Sequence, residues 1–427
     1  MNQEIKEKAD YCLNCKVKPC SQKGCPLNNN IPEFIKYIKE ECYEEAYKIL
    51  TKTTVLPSIC GRICPHFKQC MGSCIRGIKG EPVQIGDLEA FVGDMALEKG
   101  FKLDSNDIHS KEEQITRVNN KIQKNIAIIG SGPAGLTAAA FLAMKGNKVT
   151  IYEKYNYAGG LLVHGIPEFR LSKELVKNNI EKILELGITI KYGQELGKNL
   201  NLEDLEKEFD NIILAFGANI TSKMGIPGEE LQGVYGGNEL LEYNSHPDYK
   251  GKTVIVNGGG NVAMDTARTI KKLGAEKVIV VYRRAREQMP AEQKEVDDAI
   301  NEGIEFLFQN NIVKIIGNNK VEKVEVIKTK LVQKEGDTRL SPENIENSNY
   351  DIKTDYVVMA IGAKPANFVQ NLGLELTPRG YIKVNKNGQT SNPKIYAIGD
   401  LAGNIATVAW AAKSGRDVAE KIQKIRA

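Results

Sequence analysis

Nine cysteines, all within the first 74 residues and none in the 353 that follow (427 − 74), are the side chains best suited to chemistry. Eight fall in two runs, Cys12-x2-Cys15-x4-Cys20-x4-Cys25-Pro26 and Cys60-x3-Cys64-Pro65-x4-Cys70-x3-Cys74. A disulfide framework does not suit a chain of this size whose N-terminus, MNQEIKEKADYC, has no apolar signal core, so the runs read as metal ligation. Structural zinc favours two C-x2-4-C pairs, whereas the longer gaps and the Cys-Pro steps suit iron–sulfur ligation, in which a cysteine of each run commonly serves the other cluster. Eight cysteines suffice for two clusters. Cys42 stands apart in a helical pattern and reads as a small buried residue.

A second chemical feature is the stretch Lys124 to Glu153. A β-branched run, Ile126 to Ile129, leads into Gly130-Ser131-Gly132-Pro133-Ala134-Gly135, then a small-residue helix over 136–144 and a strand, Val149 to Tyr152, ending on Glu153. In such a βαβ unit the first glycine permits the tight turn, the second lets backbone approach a pyrophosphate, and the third lets helix pack on strand. The helix N-terminus offers free N–H groups to the phosphates, and Glu153 stands where a carboxylate accepts from a ribose diol.

A second fingerprint follows. Thr253 to Val256 reads as a strand, Gly258-Gly259-Gly260-Asn261-Val262-Ala263 as its turn, and 264–273 as its helix. The next strand, Val278 to Tyr282, ends not on a carboxylate but on Arg283-Arg284, with Arg286 close by. Arginines at the position that reads the adenosine ribose pair with a 2′-phosphate, so this unit should prefer NADPH, with NADH the alternative coenzyme.

These elements must be delivered by a larger frame. Phe34, Ile35 and Ile38, and again Ala46, Tyr47 and Leu50, fall on helical faces between the cysteine runs, predicting a small helical domain pinned by metal. Residues 103–123 are polar and apolar-poor, as a linker is, and 331–354 read as a surface hairpin. Net charge is small, 58 − 54 = +4, with no basic stripe and no run of about 18 apolar residues, which argues against nucleic-acid and membrane partners and for a soluble, cytoplasmic protein.

The runs CLNCKVKPCSQKGCPLNNNIPEF and CGRICPHFKQCMGSC, followed by VQIGDLE and GSGPAGL, resemble the small (beta) subunit of glutamate synthase. They are also similar to the N-terminal part of dihydropyrimidine dehydrogenase and to the large subunit of NADH-dependent ferredoxin:NADP oxidoreductase. The resemblance implies one [4Fe-4S] cluster on Cys12, Cys15, Cys20 and Cys74, and a second on Cys25, Cys64, Cys70 and Glu89, with Cys60 a neighbour; the residues alone leave Cys60 open as the fourth ligand. It further implies that Gly130, Ser131, Gly132, Pro133, Ala134, Gly135, Glu153, Lys154, Gly160, Leu161, Arg170, Gly362, Gly399, Asp400 and Thr407 lie about FAD. The helix after Thr407 would point its N-terminus at the flavin ring. His164, in the same glycine-rich segment as Gly160, reads as a loop residue, because hydride transfer to a flavin needs no general acid.

The expected architecture is α/β: two Rossmann-like domains, one inserted in the other, preceded by an α-helical double [4Fe-4S] domain. The boundaries are 1–120 for the iron–sulfur domain, 121–222 and 355–427 for the FAD domain, and 223–354 for the NAD(P)H domain. The implied activity is electron transfer from NADPH through FAD and two clusters to a catalytic partner subunit or a ferredoxin-like acceptor, the cofactors carrying the chemistry without a catalytic side chain. A bifurcating or ferredoxin-linked transhydrogenase subunit, and a non-catalytic assembly subunit with structural clusters, are the competing readings. With no cysteine after Cys74, a dithiol mechanism is excluded.

Overall fold

A computed structural model describes residues 3–103, 123–333 and 340–424. The expected linker lies, apart from its end residues, outside the described residues, as does the expected boundary at 120/121. Helices α1 (Gln3–Asp10), α2 (Ile31–Lys39), α3 (Tyr43–Thr51), α4 (Pro57–Ile63) and α5 (Ile85–Lys99) form the cysteine module. There follow β1 (Asn125–Ile129), α6 (Pro133–Ala143), β2 (Lys148–Tyr152), α7 (Lys173–Leu184), β3 (Thr189–Lys191), α8 (Leu202–Glu208) and β4 (Asn211–Leu214). The chain continues through β5 (Val234–Gly236), α9 (Gly237–Tyr243), β6 (Thr253–Asn257), α10 (Asn261–Lys272), β7 (Lys277–Tyr282), α11 (Gln293–Asn301) and β8 (Glu305–Phe308). It ends with β9 (Asn310–Ile316), β10 (Lys323–Val332), β11 (Ser341–Asn344), β12 (Tyr350–Lys353), β13 (Tyr356–Met359), β14 (Ile395–Ala397) and α12 (Val408–Lys424).

Two compact units result. The first comprises residues up to 163, then 168–218 and 367 onward. Its parallel sheet runs β14–β4–β1–β2–β3, with Ile126 opposite both Val149 and Asn211. Every residue from 126 to 129 is buried, as a parallel strand covered on both faces requires. One side of the sheet packs Leu202, Leu205 and Phe209 from the α8 segment. On α6 every residue from Ala134 to Leu142 is buried, and α12 crosses it closely: a Cβ on Gly415 would lie 2.3 Å from the Ala134 carbonyl.

Within the first unit the cysteine module packs against the layer formed by the sheet and its helices through named contacts. Arg416 of α12, almost wholly buried, donates to the carbonyls of Leu27 (2.7 Å) and Thr53 (3.2 Å). Lys182 of α7 donates to the Ala96 carbonyl of α5 at 3.3 Å.

The second unit comprises 164–167 and 219–366. Its parallel sheet runs β5–β13–β6–β7–β8. Met264, Ala267, Ile270 and Val296 of α10 and α11 cover one face, while Ile312, Ile315, Val324 and Val326 of an antiparallel layer, β9–β10–β11 with β12 also on β10, cover the other. Residues expected as a hairpin at 331–354 supply β11 and β12 to this layer. One boundary differs from expectation: β13, read as the chain's return to the first domain, is the strand between β5 and β6, Val357 pairing with both Val234 and Ile255. A parallel strand must sit beside its hydrogen-bonding neighbours, so the crossing comes after residue 366.

Candidate functional site

The cysteine module gathers its side chains through loops that small residues hold tight. A Cβ on Gly24 would meet the Gln69 carbonyl at 2.7 Å, so the two cysteine loops touch where only glycine fits, and one on Gly72 would meet the Phe67 carbonyl at 2.0 Å, so the second loop also folds tightly on itself. They enclose a cavity of about 350 Å³, counting the space at its mouth, lined by Cys12, Cys15, Cys20 and Cys74 with apolar walls that include Ile31, Ile35 and Val83. These are the four cysteines expected to act together. Burial pushes the Cys12 thiol up and the Cys20 thiol up to about 11, so metal must displace protons from both.

Behind them lies a deeper group. Glycines let α4 approach α5: a Cβ on Gly61 would meet the Ala90 amide nitrogen at 2.4 Å, and one on Gly93 the Ser58 amide nitrogen at 2.3 Å. That approach sets Cys60 and Cys64 of α4 and its C-terminus beside Glu89 of α5, where Cys25 and Cys70 also lie within electrostatic reach. Burial, then Glu89, pushes Cys25 up to about 12; Cys64 is held up first by its hydrogen bond with Cys60. Burial also lifts the Glu89 carboxyl to about 8, opposed by a hydrogen bond from Asn29 at 3.1 Å. Five candidate donors therefore surround one buried spot, Cys60 among them. The thiols around the outer cavity suit the body of a cubane, and in the deeper group carboxylate plus thiols is a donor set iron accepts.

Cys42 corrects an expectation. It is exposed, immediately before α3, and its Sγ contacts the Glu40 carbonyl at 3.4 Å. The helical pattern extended across Glu41, but that residue adopts positive φ (58°), which breaks the helix and turns Cys42 outward.

At the first fingerprint Gly130 has φ +104°, and a Cβ would press on the Ala215 carbonyl at 2.7 Å. A Cβ on Gly135 would meet the Gly130 carbonyl at 2.1 Å, whereas one on Gly132 would meet nothing within 4 Å. The first and third glycines are thus demanded by the protein itself, and the second opens on free space at the N-terminus of α6. Glu153, buried, accepts from the Ser131 amide (3.0 Å), the Ser131 hydroxyl and the Tyr155 amide (2.9 Å), which fixes the carboxylate beside the glycine turn. Gly160 (φ +53°) lies so close to Gly132 that a Cβ would meet its Cα at 2.9 Å, bringing Leu161 to this turn. Gly399 (φ +65°) faces Ala134, and its amide donates to Ser414 at 2.9 Å. Burial pushes the neighbouring Asp400 carboxyl up to about 6. Thr407 accepts from the Trp410 amide at 3.4 Å at the head of α12. Lys154 is exposed with its ammonium over the Tyr155 ring, and Arg170 is half-buried in the same unit. His164 is buried at the end of a helical turn, Leu161–His164, and not in an open loop.

The second fingerprint repeats the logic. A Cβ on Gly258 would meet the Ala360 carbonyl at 2.2 Å, one on Gly259 the Tyr282 ring at 2.5 Å, and one on Gly260 only Pro290 at 3.9 Å. Asn261 accepts from the Glu292 amide at 2.9 Å, and Val262 is half-buried beside it. The three arginines differ. Arg283 is exposed, and its guanidinium has no hydrogen-bond partner among the described residues. Arg284 donates Nε to the Leu340 carbonyl at 3.2 Å, and Arg286 is paired with Asp297. Gly362 belongs to this unit, its carbonyl accepting from the Ser222 amide at 2.9 Å. Sequence patterning did not single out Asp297, Ser414 or Arg416, because each acts through a partner distant in the chain.

Comparison with known proteins bears on this pairing of a thiol-lined module with two fingerprints. Residues 124–415 match the family described as "Pyridine nucleotide-disulphide oxidoreductase", and residues 1–101 match "Dihydroprymidine dehydrogenase domain II, 4Fe-4S cluster". The chain is 34% identical to the "Glutamate synthase [NADPH] small chain" of Halomonas elongata, over 98% of this chain and 90% of that one. It is also 34% identical to the protein of that name from Escherichia coli, over 98% and 91%. The "NADPH-Fe(3+) oxidoreductase subunit beta" of Geobacter sulfurreducens is 36% identical over 84% of this chain but only 53% of its own length. In fold, 71% of the chain superposes on 84% of Mycobacterium tuberculosis FprA (TM-score 0.64, 21% identity) and on 98% of Lactococcus lactis thioredoxin reductase (TM-score 0.53, 23% identity). Among the described residues no helix is long and apolar enough to cross a membrane. With thiols gathered for iron–sulfur ligation and one dinucleotide fingerprint in each unit, the chain belongs to the glutamate synthase small-chain family, NADPH-dependent oxidoreductases that combine FAD with [4Fe-4S] ligation.

Proposed function

We propose that this chain takes electrons from NADPH and delivers them, by way of FAD and two [4Fe-4S] clusters, to a partner subunit. When bound, FAD accepts a hydride and the clusters carry electrons singly, which is the chemistry the cofactors supply. The residues' part is to hold and orient. Glu153 accepts from the adenosine ribose of FAD, the amides at the head of α6 receive its pyrophosphate, and the head of α12 favours negative charge on the ring. Arg283, with Arg284 beside it, receives the 2′-phosphate of NADPH. Cys12, Cys15, Cys20 and Cys74 hold one cluster; Cys25, Cys64, Cys70 and Glu89 hold the other, with Cys60 adjacent.

The observation that carries this reading is the shared frame: Arg416 of α12 hydrogen-bonds Leu27, two residues beyond Cys25, so one helix reaches both the dinucleotide turn and the loop that carries Cys25. A resident partner subunit is favoured because similar proteins are described as a "small chain" or "subunit beta". The test is anaerobic titration of the purified protein with NADPH. Flavin absorbance should bleach, and EPR signals of reduced clusters should then appear. Flavin that neither NADPH nor NADH reduces would favour the assembly-subunit reading; flavin reduced without cluster signals would break the proposed route.

A further inference from the structure

Two cations are fixed beside the outer four-cysteine cavity. Lys39, the last residue of α2, is half-buried, and its ammonium donates to the Cys12 carbonyl at 2.8 Å. Arg76 lines the cavity itself; its Nε donates to the Tyr11 carbonyl at 3.0 Å and its guanidinium lies 4.2 Å from the centre of the Tyr11 ring. Lys8, Lys48 and Arg62 of the same module each meet a carboxylate. Among the described residues Lys39 and Arg76 do not, so their charge is left to act on what the cavity holds.

The deeper group has the opposite surroundings. Its charged side chain is Glu89, buried and met by the neutral amide of Asn29. Cys25 and Cys70 are held up by burial and then by Glu89, and Cys64 by its hydrogen bond with Cys60, by burial and by Glu89 as well. At the outer set burial raises the Cys12 thiol, while a backbone hydrogen bond at Asn14 and the Lys39 ammonium draw it down. As a ligand Glu89 is one anion in place of another, so it is the two cations that make the sets differ in charge.

An electron added to a thiolate-bound cluster adds negative charge. Nearby cations and solvent exposure stabilise that charge, and burial opposes it. Both influences favour the outer set, because Cys12, Cys15 and Cys74 are half-buried whereas Cys64 and Cys70 are buried.

We propose that Lys39 and Arg76 make the outer site the higher in potential of the two, so that an electron entering the module comes to rest among Cys12, Cys15, Cys20 and Cys74. One electron leaves the deeper site for each that the outer site gains, and Lys39 and Arg76 keep their charge throughout. This deepens the function proposed above and rests on it for the two clusters.

The test is an anaerobic redox titration of the full-length protein followed by EPR, poised with dithionite and mediators so that it does not depend on NADPH. The outer signal is the one that survives Glu89→Ala, and in the wild type its midpoint should be the higher. Lys39→Gln should make the outer cluster about fivefold harder to reduce at a fixed potential, the upper end for a half-buried charge, which is about 40 mV at 59 mV per tenfold for one electron. Lys39→Glu should double that shift, Lys39→Arg should cancel it, and Arg76→Gln should move the same cluster in the same direction. The deeper cluster should move less than half as far in every case, and added salt should shrink the shifts. A lysine that only braces the Cys12 loop would give Gln and Glu variants that behave alike. That result, shifts shared equally by both clusters, or an outer midpoint at or below the deeper one would each overturn the proposal. Should Lys39→Gln shed its iron, the wild-type order and Arg76→Gln decide by the same criteria. Flavin that NADPH leaves unreduced, in a protein whose midpoints still shift as described, would fail the functional reading and leave the tuning by Lys39 standing; protein without clusters would fail both.

Discussion

Removing the Arg283 guanidinium should convert coenzyme preference into near-indifference. Of the three arginines at the end of β7, Arg283 alone is exposed with no side-chain partner among the described residues. Arg284 has committed Nε to Leu340 but keeps its terminal nitrogens, and Arg286 would have to leave Asp297 to serve a ligand. A charge-assisted hydrogen bond is worth roughly 1.5–3 kcal/mol, and at a water-exposed position the lower end applies, about tenfold in affinity. Arg283→Ala should therefore raise the NADPH dissociation constant about tenfold and leave that for NADH unchanged. Arg286→Ala should do much less, since its charge is already met. Stopped-flow flavin reduction over a range of each coenzyme gives both constants. Added salt should erode the wild-type preference by screening. Equal constants for NADH and NADPH in the wild type, or an Arg283→Ala variant that loses both coenzymes alike, would refute the assignment.

Other outcomes follow from the same geometry. Iron analysis of anaerobically prepared protein should give about eight irons and no zinc per chain. Glu89→Ala should alter the EPR signature of one cluster while FAD stays bound, and Cys60→Ser should alter neither; the reverse pattern would make Cys60 the ligand. Asp400, lifted from 3.8 to about 6, binds its proton more tightly folded than unfolded, so stability falls as pH rises through that window and is flat above it. Asp400→Asn should then stabilise the flavin-free protein at pH 7 by at most about 3 kcal/mol (2.2 units at 1.36 kcal/mol each), the gain vanishing near pH 4, as urea midpoints would report. Arg416→Met leaves two carbonyls unpaired at about 1–3 kcal/mol each, and should lower Tm by several degrees or more while slowing cluster reduction relative to flavin reduction.

Local chemistry was legible wherever neighbouring residues carried it. The glycine turn at 130–135 needs its first and third glycines for contacts with backbone that any such unit contains, and β2 places Glu153 beside the turn by strand pairing alone. Spacing marked the cysteine runs for metal, while the grouping of Cys12, Cys15, Cys20 and Cys74 came from the resemblance alone, because a ligand set that draws on both runs cannot be read from either one. What stayed hidden depends on partners far along the chain. Nothing near Arg416 foretells that it serves Leu27 and Thr53, and nothing in YVVMAIG distinguishes a strand of one Rossmann sheet from a strand of another, because both demand a buried apolar run. Cys42 was misread because helical periodicity is blind to a single positive-φ residue such as Glu41.

The bridge from Arg416 to Leu27 spans 389 positions of sequence, which gives the protein a problem of timing. At about 5–20 residues per second the ribosome needs roughly 20–80 s to make the distance. For most of that interval the cysteine loops are outside the ribosome while the helix that braces them has not been made. The thiols, still protonated and without their clasp, face whatever metal or oxidant the surroundings hold. Assembly therefore has a natural order, with the last helix acting as the latch: cluster loading is easy before it closes and loss is slow afterwards. Weakening the latch should show first as poor iron occupancy in growing cells, well before the mature enzyme looks unstable in a test tube.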